Sequence, residues 1–271
     1  MAINYFASET SLEWDVKPSD IIINNSIVPT HYGLVRDDNN ELLEINKNSY
    51  NPFYNAEFRS LMDDLQKISG FDNLTYQEFK GGKVVLGYLE NNKTDIKVNG
   101  FDINKYLVLG NSHDGSKGIF LGTSEIMLRC MNQFGKIVKS NVIKHTKNNF
   151  TKIDDLKRAY EVYFKETEKQ VEVYCKMNKI SIDSKLIEMF TKQLFEANEE
   201  KISTRKENIM IDFQNSINIE TADLGNNLFG LFNSVTHYTT HKLKNENTFG
   251  NLFGTANKIN EKAYDLVLEL I

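Results

Sequence analysis

Runs of apolar residues at period 2 and period 3.6 mark the elements of this chain. Between residues 105 and 133 a strand-length run, Tyr106-Leu107-Val108-Leu109, leads into the polar turn Asn111-Ser112-His113-Asp114-Gly115-Ser116. Gly115 supplies the positive φ such a turn needs. A second run, Gly118-Ile119-Phe120-Leu121-Gly122, follows. Thr123 or Ser124 then stands at an N-cap position ahead of Ile126, Met127, Cys130 and Met131 at helical spacing. The pattern predicts strand, turn, strand, helix.

Upstream, residues 1–30 read as a loosely structured arm, with Trp14 as its one large anchor. His31–Arg36 and Glu41–Ile45 are predicted to form a hairpin around Asp37-Asp38-Asn39-Asn40. Phe58, Leu61, Met62, Leu65 and Ile68 fall at helical spacing, and Gly70 closes that helix. A hairpin across Gly81-Gly82 and a short strand around Ile96 and Val98 precede the central turn. Beyond residue 150 the period is helical: residues 151–177, a helix capped by Ser181-Ile182-Asp183, another from Leu228, and an apolar tail over Ala263–Ile271. The expected class is α+β: an antiparallel β-meander flanked by helices, followed by a helical C-terminal half. The expected division is an arm (1–30), an α+β core (31–150) and a helical region packed on it (151–271).

Composition adds two constraints. The apolar fraction is 40%, and no run approaches the ~18 residues of a membrane span. With two cysteines far apart and no basic-then-apolar leader, a reducing host cytoplasm is the expected setting. The net charge of −5 argues against a wholly nucleic-acid-coated surface. Yet residues 80–147 hold eleven basic residues against five acids. Lys80, Lys83, Lys105, His113, Lys117, Arg129, Lys136, Lys139, Lys144 and His145 are therefore the candidate nucleic-acid contacts. Tyr76, Tyr88, Tyr106 and Phe120 are possible stacking platforms, to be divided between core and surface.

No catalytic constellation stands out. Gly81-Gly82-Lys83 lacks the spacing of a phosphate loop, and there is no G-x-S-x-G elbow. His113-Asp114 could hold a metal or phosphate, or Asp114 and Ser116 could simply bond turn amides. His237 and His241 have the i, i+4 spacing of a zinc pair but no adjacent Glu. No cofactor is expected.

Three stretches carry a family resemblance: Asn111-Ser112-His113-Asp114-Gly115-Ser116, Arg129-Cys130-Met131-Asn132 and Lys144-His145-Thr146. They resemble the His-Asp-Gly-Ser turn, the Cys-x-Asn segment and the basic-His-Thr element of the phage/plasmid-like family known as domain of unknown function 932. Weaker echoes lie at Tyr32 to Asn55 and Asn233 to Tyr238. That resemblance implies a mobile-element context and no settled activity. The order of elements is also similar to the core of single-strand annealing proteins, which implies ring or filament assembly and backbone binding along a basic groove. The resulting expectation is a homo-oligomeric protein that binds single-stranded DNA in recombination or replication. A non-enzymatic protein acting on a host factor and a metal-dependent hydrolase are the alternatives.

Overall fold

The structure, a computed structural model, describes residues 10–91, 96–98, 100–127, 132–137, 142–145, 165, 167–195, 204–243 and 254–271. The chain divides into two compact units. The first takes residues 1–93, 106–123 and 137–164; the second takes 94–105, 124–136 and 165–271.

In the first unit, β1 (Val16–Ile23), β2 (Ser26–Arg36) and β3 (Leu42–Lys47) form an antiparallel sheet in that order. The loose reading of residues before 30 thus gives way to strands. Asn24 and Asn25 take φ of 50° and 60°, the left-handed pair that a two-residue hairpin turn requires. Pro18, Asp20 and Pro29 disguise the strands by breaking their alternation. Helix α1 (Asn55–Ser69) buries Phe58, Leu61, Met62 and Leu65 and ends at Gly70 with φ 61°, as its spacing predicts. Strands β4 (Asp72–Phe79) and β5 (Val84–Glu90) flank the Gly81-Gly82 turn. Strand β5 pairs in turn with residues Tyr106 to Ser112. The core gathers Trp14, Phe53, Phe58, Leu65, Val85, Leu107, Leu109 and Leu121.

Gly110 is a close-approach position in this core: a Cβ there would collide with the buried Phe120 ring. Gly110→Ala is expected to cost about 1–3 kcal/mol or more in urea unfolding, and Phe120→Leu in the same chain to recover part of it.

The second unit holds β6 (Ile96–Val98), which folds across Gly100 onto the first residues of β7 (Phe101–Ser112). It also takes the end of β8 (Phe120–Met127) and most of β9 (Gln133–Ile137). Helix α2 covers 167–177, followed by α3 (Ser184–Phe195), α4 (Thr204–Leu224), α5 (Leu228–His237) and α6 (Thr255–Leu270). Asp183 Oδ1 accepts from Leu186 N–H at 2.8 Å and Asn227 Oδ1 from Gly230 N–H at 2.9 Å, the expected N-cap chemistry. Phe134, Tyr174, Phe190, Phe213, Phe229 and Phe232 form the core.

The α+β expectation holds: antiparallel sheets, with helices clustered in the C-terminal half. The helix expected from Thr123 does not begin there, because β8 runs on to Met127; residues 128–131 lie outside the described residues. Helix α4 was hidden by a charged start and weakly one-sided apolar positions, with Ile211 and Ile219 exposed. Among the described residues no helix is long and apolar enough to cross a membrane.

Candidate functional site

The polar turn after β7 caps one end of the first unit's sheet. Its geometry is local: Ser116 N–H donates to Asp114 Oδ1 at 2.9 Å, Lys117 N–H donates to Ser112 Oγ at 2.9 Å, and Gly115 takes φ 66°. Asp114 thus bonds a turn amide. The next turn joins it through His113 N–H, which donates to Lys83 O at 2.8 Å.

The ring of His113 points inward and is fully buried. Its Nε2 meets Asn55 Oδ1 at 2.9 Å, while Asn55 Nδ2 donates to Trp14 O at 3.0 Å. The Asn55 amide is oriented by that carbonyl, so His113 carries its proton on Nε2. Asn55 opens α1, and Asp15 accepts from the backbone N–H groups of Asn55 (2.9 Å) and Ala56 (3.1 Å). A carboxylate there meets both the unsatisfied amides and the positive end of the helix. Trp14 packs edge-on to His113 with ring centroids 5.7 Å apart and donates from Nε1 to Glu78 at 2.8 Å. Arg36 lies 3.9 Å over the indole and pairs with Asp38 (2.7 Å) and Glu78 (3.3 Å).

His145 joins this network through Tyr50. Its ring tilts against Tyr50 at 4.9 Å, and Tyr50 Oη donates to Ser112 O at 2.9 Å. Tyr32 Oη donates to Tyr50 O at 2.9 Å. Burial pushes His113 down to about 3, helped by His145 and Arg36 and opposed by Asp114. Burial likewise pushes His145 down to about 4. Both imidazoles are therefore neutral near pH 7, and neither is a phosphate-contacting cation. His113 Nδ1, Asn111 Oδ1 and Asn46 Nδ2 have no hydrogen-bond partner among the described residues.

The candidate cations are sorted by this geometry. Lys80, Lys117 and Lys144 are exposed and Lys83 is half-buried. Lys80 and Lys83 belong to the β4–β5 turn, Lys117 to the β7–β8 turn. Ile143, beside Lys144, bridges to Ile119. Val84 pairs with Ser112, and Lys117 N–H donates to Ser112 Oγ, so the turns that carry Lys83 and Lys117 adjoin. Arg36 pairs with both Asp38 and Glu78, and this trio keeps one net negative charge.

Lys105 leaves the candidate set. It is fully buried in the second unit, ion-paired to Glu125 and bonded to Gln170 at 3.2 Å, where no phosphate can reach it. Lys136 lies in β9, while Arg129 and Lys139 fall outside the described residues. Of the stacking candidates, Tyr88, Tyr106 and Phe120 are core residues and Tyr76 is half-buried. His237 and His241 do approach each other, with ring centroids 4.8 Å apart, on a helix that ends in the π-helical turn Tyr238–Lys242. His237 Nδ1 meets Ser216 Oγ at 3.0 Å. Among the described residues no three His, Cys, Asp or Glu side chains gather as a metal would need.

Sequence reasoning missed Asp15, Asn55, Glu78 and Tyr50. Each acts across forty or more residues, or through a backbone carbonyl, and leaves no local signature. The motif residues do sort together: those at 32–55, 111–116 and 145 meet in the first unit, whereas Asn132 and Asn233 meet in the second, at 3.3 Å.

A family model described as Domain of unknown function (DUF932) matches residues 42–263, well over half of the chain. No curated protein and no solved structure matches.

Proposed function

We propose, for a chain that belongs to the DUF932 family, that the turn end of the first unit's sheet binds the sugar–phosphate backbone of single-stranded DNA. One observation supports this most: Lys80, Lys83, Lys117 and Lys144 collect around two adjoining turns. The buried His113–Asn55 network holds those turns from below. Rigid presentation of several cations favours backbone contact over base readout. A phage or plasmid setting, a host cytoplasm and a role in annealing during recombination or replication complete the reading. Assembly into a homo-oligomer belongs to it as well.

The test is a fluorescent oligonucleotide titrated across a salt series, single strand beside duplex. The natural protein is expected to bind the single strand tightly at low salt. Substituting Lys83, Lys117 and Lys144 together by Ala should flatten the log–log salt slope by about 0.7 for each phosphate that is no longer neutralised. Unchanged affinity and slope in the triple variant would overturn the site.

A second reading, an interaction protein without DNA, is favoured by the three-stranded sheet. Ile22, Ile23, Ile27, Leu42 and Ile45 are each at least half exposed there, an unusual density of large apolar side chains on one small sheet. Absence of any DNA binding at low salt would leave that reading in place.

A further inference from the structure

The second unit carries a histidine pair that the proposed DNA contact does not use. Helix α5 passes at His237 into the π-helical turn Tyr238–Lys242, where Leu243 N–H donates to Tyr238 O at 3.0 Å across five residues. Single π turns of this kind are frequent at functional positions. His237 is half-buried and His241 exposed, with ring centroids 4.8 Å apart. Burial, with the adjacent His241 and Lys242, pushes His237 down to about 4. Its ring is therefore neutral near pH 7.

Ser216, fully buried on α4, sets the tautomer of His237. Its hydroxyl donates to Asp212 O at 3.0 Å, so its oxygen accepts from His237 Nδ1–H, also at 3.0 Å. A proton on Nδ1 leaves the lone pair of the ring on Nε2. An imidazole whose other N–H is anchored in this way is held in orientation and made a more basic ligand. That buried anchor distinguishes His237 from a surface histidine that merely has a helical neighbour four residues on.

We propose that His237 Nε2 and one ring nitrogen of His241 chelate a divalent transition ion of the zinc and copper class. Two imidazoles bound to one ion at about 2.0–2.1 Å, at a tetrahedral or right angle, bring their centroids to roughly 4.5–5 Å. The pair already stands at that spacing. Neutral imidazole suits zinc, copper and nickel, whereas magnesium and calcium take oxygen ligands. Among the described residues no further His, Cys, Asp or Glu completes the set. A closed structural site would require those extra side chains; here water fills the remaining positions, and the ion is exchangeable.

The experiment is calorimetric titration of the whole, chelator-treated protein with zinc chloride above pH 7, where imidazole ligands are neutral. Magnesium chloride is the control. The natural protein is expected to take up zinc in the micromolar range and no magnesium. His241→Gln changes an exposed side chain and is expected to weaken zinc binding about tenfold or more, since chelation by two linked ligands is lost. Copper gives a second readout: electron paramagnetic resonance should show coupling to two imidazole nitrogens in the natural protein and not in His241→Gln. No zinc binding at millimolar concentration overturns the proposal. So do affinity and nitrogen coupling that are unchanged in His241→Gln, which would place the ion elsewhere on the chain. The lysines of the first unit do not enter this measurement, so either reading can fail alone.

Discussion

Replacing Lys105 by Ala is expected to destabilise the second unit by about 3–5 kcal/mol. The substitution leaves the Glu125 carboxylate almost fully buried with Tyr174 as its remaining donor. Desolvation of that charge, otherwise offset by the ammonium, is the dominant cost. Glu125→Gln should also destabilise, since Lys105 would keep a neutral partner in Gln170 but no counter-charge. The double variant Lys105→Met with Glu125→Gln removes both charges and should lie much closer to the natural protein than either single change. Urea unfolding followed by far-UV circular dichroism measures all three. A cost below about 1 kcal/mol for Lys105→Ala would mean that the pair is not ionised in the folded state. Single-strand binding by the folded Lys105→Met protein should be unchanged, which separates its buried role from the phosphate contact expected of it by charge alone.

Acid should unfold the first unit well before its carboxylates are exhausted. The folded values of about 3 for His113 and about 4 for His145 lie below the ordinary histidine value of 6.5. The unfolded chain therefore binds more protons than the folded one between those values. Stability is full above pH 6.5 and falls as the pH drops towards 4 and then 3. At pH 4.5 each histidine contributes a loss of roughly 2–3 kcal/mol, which together approaches the whole stability of an ordinary domain. Trp14, the one tryptophan of the chain, sits 5.7 Å from His113 and reports the event by fluorescence. His145→Phe should keep the ring against Tyr50 while deleting one titrating group. Its stability is expected to decline about half as steeply between pH 6.5 and 4.5. A decline as steep as in the natural protein would show that His145 is solvated.

Period and turn chemistry were enough to read much of the fold. The Asp37–Asn40 turn, the α1 spacing closed by Gly70, the Gly81-Gly82 hairpin and the Asp183 cap all stand where the pattern puts them. Thr123-Ser124 misled because a helix cap and a polar position in a buried strand use the same residue types. Both are in fact buried within β8. The fate of Lys105 was readable in principle: alternation along Ile103, Lys105 and Leu107 sets it among inward positions. Charge counting ignored that alternation and ranked it with the surface lysines. What sequence could not provide is the identity of distant partners. Asn55 with His113, Tyr50 with His145 and Glu125 with Tyr174 are joined across roughly fifty residues or more, and nothing local distinguishes those residues from ordinary polar positions.

The interleaving of the two units has a consequence for the nascent chain. The β4–β5 hairpin emerges from the ribosome with one edge of β5 open, and its pairing partner arrives only after residues 94–105 have been added. Those residues, like 124–136, belong to a core whose main mass begins at residue 165. Lys105 and Glu125 are thus translated long before Gln170 and Tyr174 exist to enclose them. Neither unit can be released as one uninterrupted fragment, and an incomplete chain exposes unpaired strand edges of the kind that recruit other chains. Holding such edges apart until synthesis ends is a demand that this topology places on the cell that makes the protein.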